Sequence, residues 1–264
     1  MLRSMYSGIG AMRNFQTKLD VIGNNIANVN TYGFKKGRAI FQDLMSQTIS
    51  GASGPSAASG GTNPRQVGLG SQLAAIDTIH TQGSLQTTGR VLDLAISGDG
   101  FFIVGDANGN NQMYTRAGNF YLDSEGYIVN ANGLYLLGDG GPLQIDPNAK
   151  SLSIGADGNV TIVDDTGNLQ LVGTIQLAKF ANPDGLEKEG NNLFRETVNS
   201  GDPQIGVPGA NGTGKLVSGA LEMSNVDLAE EFTEMIVAQR GFQANTRIIT
   251  TSDEILQELV NLKK

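Results

Sequence analysis

The sequence predicts a mixed fold: a discontinuous α-helical coiled-coil stem formed by the N- and C-terminal segments, with a mainly antiparallel β domain inserted between them. Three observations predict it. Met5, Met12, Leu19 and Ile26 recur every seven residues, and Phe15, Ile22 and Val29 follow three residues after the last three of them, the spacing of a coiled-coil seam. At the other end Ile248, Ser252, Ile255, Leu259 and Leu262 step by four, three, four and three, beside a seven-residue stripe of Leu228, Met235, Phe242, Ile249 and Leu256. Between the two ends the pattern changes to short apolar runs separated by Asx-Gly turn pairs. Neither helix buries its stripe alone, so the economical partner of each is the other.

In chain order, the first helix is expected over residues 3–29, roughly 40 Å at 1.5 Å per residue. Asn24, Asn25, Asn28 and Asn30 weaken helix propensity at its far end, and Gly33 offers the left-handed angles that stop it. Gly8 and Gly10 make the first turns poor in isolation. Residues 34–49 keep Phe34, Ile40, Phe41, Leu44, Met45 and Ile49 among charges, as a short helix or an extended contact segment. Residues 50–61 are almost wholly Gly, Ala, Ser and Pro, too small-sided for a core; they read as a linker or as an arm ordered by neighbouring subunits.

The β grammar runs over residues 67–223. Residues 91–96 and 101–104 read as two strands joined by a tight turn at Ser97, Gly98, Asp99 and Gly100. Further strands are expected over 127–129, 135–137, 160–163 and 175–180, with turns at Asn108 and Gly109, Asn132 and Gly133, Asp157 and Gly158, and Thr166 and Gly167. Residues 183–215 read as loop, and 216–223 as the return to the stem. Asp227 and Glu230 have capping-box spacing for the last helix, Glu231 and Glu234 extend its acidic start, and Lys263 and Lys264 close it with the opposite sign. Gly241 inside that helix costs about 1 kcal/mol relative to Ala; close packing or simple local weakness accounts for it. The expected divisions are 1–33 and 224–264 for the two halves of the stem, 34–66 for junction and arm, and 67–223 for the β domain.

Composition narrows the chemistry. The absence of cysteine among 264 residues removes disulfides and thiolate chemistry, and suits a chain exported unfolded. A net charge of -8, with Lys35, Lys36 and Arg38 as the longest basic cluster, disfavours nucleic acid as a partner. No apolar run is long enough to span a membrane, and polar residues interrupt any signal-peptide core. His80, the single histidine, builds neither a triad nor a metal site and reads as structural or surface. Asp93 is expected to face solvent and Asp99 to shape its turn, not to act as paired carboxylates. Asp106, Asn108 and Asn110 open like a calcium loop, but Asn111 and Ala117 stand where glycine and glutamate are required. Gly68 and Gly70 open like a dinucleotide fingerprint that Leu73 breaks. No catalytic residue, cofactor or metal is expected.

Several segments carry a family resemblance. NNIANVNTYGFKKGRAIFQD at 24–43 resembles the N-terminal signature of bacterial flagellar rod, hook and hook-associated axial proteins, and residues 221–262 resemble the matching C-terminal signature. DLAISGDGFFIV at 93–104 and YTRAGNF at 114–120 resemble the body shared by hook and distal rod proteins. The resemblance implies export through the flagellar secretion apparatus, assembly under a hook or rod cap, and a homo-oligomeric open helical tube. Adjoining rod and hook-filament junction proteins are the other implied partners. It places Asn24, Asn25, Ala27, Asn28, Gly33 and Phe34 at the junction below the first helix. Asn225, Val226, Asp227, Phe232, Met235, Gln239 and Arg240 would begin the returning one. GGTNPRQVGLG at 60–70 resembles the junction of hook proteins, while the short length is that of distal rod proteins. A short hook protein, resembling those of Gram-positive bacteria, reconciles the two, so an extracellular hook subunit is the expectation. A distal rod subunit is the alternative, and a secreted binding or adhesion module is the alternative from another class.

Overall fold

The computed structural model describes residues 2–55, 60–107, 109, 111–147, 149–165 and 167–262, with only the backbone of Leu2 and Arg3. Helix α1 covers Leu2–Ala27 and helix α2 covers Leu228–Asn261, with antiparallel strands between them. The fold is thus mixed: a helix near each terminus and an antiparallel β domain. Two compact units divide the chain, one of residues 1–27, 37–78 and 227–264 and one of residues 28–36 and 79–226. Strand Ser71–Thr78 therefore belongs with the helices, although the turn-and-strand pattern groups it with the β domain.

In the helical unit, residues 37–49 of the segment expected as a short helix or an extended contact segment resolve as extended chain. Gly37–Asp43 pairs with Ser71–Thr78, with a bulge between Ile40 and Phe41, and Ser46–Ser50 pairs with Arg65–Gly68. A bridge between Ser53 and Thr62 carries the second ribbon into the small-residue arm, of which residues 56–59 lie outside the described residues. Helix α2 starts where expected: Asp227 is its N-cap and accepts the Ala229 N–H at 2.8 Å, satisfying one of the free amides of the first turn. Lys263 and Lys264 also lie outside the described residues.

The β unit is built around Phe101–Gly105, buried along its whole length. It pairs with Met113–Thr115 on one side and with Tyr135–Gly138 and Leu177–Lys179 on the other. Because successive side chains leave opposite faces of a strand, Phe102 and Val104 join one core with Leu94, Phe120, Ile128, Leu136 and Leu177. Phe101 and Ile103 join a second core with Tyr114, Phe180 and Phe194. Each fully buried side chain of this size contributes about 1.5–3 kcal/mol. A three-stranded sheet of Ser151–Ile154, Asn159–Val163 and Leu169–Thr174 is also present in this unit.

Three local expectations change. Leu94–Ser97 does not pair with Phe101–Gly105; it pairs with Lys215–Ser218, while the Gly214 N–H bonds to the Asp99 carbonyl inside the intended turn. Asp93 is buried, not solvent-facing: its carboxylate accepts Thr88 Oγ1 at 2.7 Å and Arg90 Nη1 at 3.4 Å. The cause is the same, because residues 92–96 are all buried and a run covered on both faces shows no alternation. Finally, the expected loop at 183–215 holds strands Glu187–Gly190, Leu193–Arg195 and Gln204–Gly206, of which the first two turn through Asn191 and Asn192, both at positive φ. The turns at Asn108 and Thr166, and the calcium-like Asn108 and Asn110, lie outside the described residues.

Candidate functional site

The feature most open to function is the face of the helical pair. Within their unit α1 and α2 run antiparallel, because contacts progress from Gly8 beside Ile249, through Met12 with Thr246 and Phe15 with Gly241, to Lys18 with Glu234 and Asn25 with Glu231. At Gly241 the Phe15 ring lies where a side chain would be: an added Cβ would sit 2.6 Å from its edge. Close packing is therefore the reason for this glycine, and the helix accepts its propensity cost. Asn25, buried at the end of α1, donates to the Gly37 carbonyl at 2.9 Å and to Glu231 Oε2 at 3.1 Å, and accepts the Gly37 N–H at 2.9 Å. One amide thus ties both helices to the start of a strand. The exposed Lys18–Glu234 pair adds little by comparison.

The predicted packing residues separate by exposure. Ile22 is buried, and Met5, Met12, Phe15, Leu19, Ile26 and Met235 are half-buried in the helical unit; Val29, half-buried, belongs to the β unit. Leu228, Phe232, Phe242, Ile248, Ile255, Leu259 and Leu262 are exposed, from 36% at Phe242 to 82% at Leu262. The covered face of α2 instead follows Glu231, Met235, Ala238, Gly241, Asn245, Ile249, Ser252 and Leu256. Since α2 has 34 residues against 26 in α1, and apolar positions on two sides, one partner helix leaves much of its apolar surface in water.

The β unit carries a buried charge cluster that sequence reasoning passed over. Glu222 Oε1 accepts Lys35 Nζ at 2.5 Å and the Gly83 N–H at 2.9 Å, while Oε2 accepts Arg116 Nη1 at 3.3 Å. Lys35 and Glu222 are fully enclosed and Arg116 nearly so. Burial pushes Lys35 below the usual lysine range, and the adjacent Glu222 opposes that shift. The Gly33 N–H donates to the Glu222 carbonyl at 2.8 Å, and Gly33 sits at φ +69° with room for no side chain against Ala117. Asn225 accepts the Lys36 N–H at 2.7 Å and donates to the Ile79 carbonyl at 2.8 Å. The sequence signal was present but unread: Lys35, Arg116 and Glu222 each lie within a motif that carries the family resemblance.

Comparison with known proteins agrees with this layout. Residues 5–35 match the family described as flagella basal body rod protein, residues 95–162 the flagellar hook protein FlgE/F/G D1 domain, and residues 217–262 the flagellar basal body rod FlgEFG protein C-terminal family. The flagellar basal-body rod protein FlgG of Bacillus subtilis is 61% identical over 266 residues, covering 100% of both chains. FlgG of Borreliella burgdorferi is 41% identical over 270 residues, and the flagellar hook protein FlgE of the same organism 35% over 443, each covering 100% of both chains. These matches define a structural protein of the bacterial flagellum, not an enzyme. The chain belongs to the family of flagellar basal-body rod and hook proteins. Within it, the Bacillus subtilis rod relative aligns over 266 residues, close to the 264 of this chain, whereas the hook alignment runs to 443.

Proposed function

We propose that this chain is the distal rod subunit of the bacterial flagellum, polymerising into a straight tubular drive shaft that transmits motor torque. The observation carrying this reading is the 61% identity, over the whole of both chains, to a basal-body rod protein. Copies join through the helical unit, where α1 and α2 form a discontinuous coiled-coil stem and the exposed line through Val237, Ile248, Ile255 and Leu259 meets different surfaces on neighbouring copies. A surface that meets an unlike surface on the next copy propagates a helix and does not close a dimer. Export through the flagellar apparatus, a cap during assembly, and neighbouring rod and hook proteins follow from membership of such a shaft. The hook reading keeps one supporting observation, the resemblance of residues 60–70. An epitope inserted in the exposed turn at Asn132 and Gly133 separates the two in images of isolated hook-basal bodies. Label on the straight shaft is expected; label along the curved hook would overturn the rod reading.

A further inference from the structure

We infer that His80 is a proton-sensitive lock on the β unit: protonation of its ring sets a fourth cation against one carboxylate and releases residues 28–36 from strand Ala220–Glu222. This goes beyond the proposed role and does not depend on whether the polymer is rod or hook. The geometry carries it. The imidazole is wedged between two rings, at 5.6 Å from Phe101 and 5.4 Å from Phe194. Both ring nitrogens are buried, and neither has a hydrogen-bond partner among the described residues. The charged groups facing it are Lys35 from the junction, Arg116 from the segment after Met113–Thr115, and Lys188 from Glu187–Gly190. The carboxylate of the cluster, Glu222, is already engaged by Lys35, Arg116 and the Gly83 amide, so an imidazolium finds no free acceptor there. Lys188, meanwhile, bonds to the Lys35 carbonyl at 3.1 Å over the Phe34 ring, so the added repulsion falls on the segment that Glu222 holds.

The sign follows from the same surroundings. Burial first, then Lys35, Arg116 and Lys188, lower the His80 pKa from 6.5 to about 4. The unfolded chain therefore binds more protons between those values, and stability is full above about pH 6.5 and lost as pH falls toward 4. Because His80 is the single histidine, its ring proton NMR signal in the full-length protein reports this pKa without ambiguity. The test pairs that titration with denaturant unfolding of the wild type, His80→Phe and His80→Gln at pH 7 and 4.5. Between those values the wild type should lose roughly fiftyfold more of its folded-to-unfolded ratio than either variant, a figure set by the lowered pKa. Amide protection at Gly33 and Gly83, both bonded to Glu222, should fall with it. If His80→Phe fails to fold, His80→Gln carries the comparison. A native histidine titrating near pH 6.5, or variants as acid-sensitive as the wild type, would overturn the inference.

Discussion

The helical and β units solve the same problem, burying apolar surface, to different degrees of completion. In the β unit the central strand is covered on both faces, and the buried charges of Lys35, Arg116 and Glu222 meet one another. In the helical unit α2 covers one line of residues and leaves Val237 55%, Ile248 45% and Leu259 49% exposed along one flank. A soluble monomer rarely keeps a contiguous apolar stripe in water without a use for it. The contrast separates a part that finishes its fold alone from a part that, on the proposed role, other copies complete.

The largest effect expected of a single change lies in the finished unit. Glu222→Gln leaves Lys35 and Arg116 buried without their counter-charge, which should cost about 3–5 kcal/mol in denaturant unfolding. A loss below about 1 kcal/mol would mean that water reaches this cluster and the unit is less closed than drawn. Ile22→Asp, at the most buried position of the α1 stripe, places a charge in an apolar contact and should cost several kcal/mol of helical-unit stability, read by helix circular dichroism on heating. Gly33→Ala should destabilise by about 1–3 kcal/mol, since φ +69° and the Ala117 backbone both oppose a side chain.

Smaller effects sharpen the contrast. At Gly241→Ala, about 1 kcal/mol of helix propensity is set against displacement of the Phe15 ring. A net loss in thermal stability is expected, and a gain would show that α1 and α2 approach less closely than the structure has them. Ile255→Asp should change monomer stability by less than about 0.5 kcal/mol, because the side chain is already 42% exposed, and yet abolish polymer formation. Ile22→Asp and Ile255→Asp thus differ in kind: one damages the fold, the other only the assembly.

Legibility in the sequence followed the length and regularity of the pattern. The bounds of α1 fell within two residues of expectation because a seven-residue repeat is hard to mistake. Which stripe of α2 faces α1 was not legible: Ser252 and Ala238 are covered while Ile255 and Phe232 are not, since small residues admit the closest approach. Strands of three to four residues between Pro183 and Gly206 are too short to show a period, and the Gly and Asn residues in and around them read as loop. The Lys35–Glu222 pair joins positions 187 residues apart, and nothing local in either segment names the other.

The absence of cysteine makes the central contrast directly measurable. Single cysteines at Leu259, on the exposed stripe of α2, and at Ser124, in an exposed turn of the β unit, can be labelled with a maleimide before and after polymerisation. Both should react quickly in the monomer. In the polymer the Leu259→Cys thiol should react at least tenfold more slowly while Ser124→Cys is little changed. Undiminished labelling at Leu259→Cys in assembled material would contradict the claim that other copies complete the helical unit.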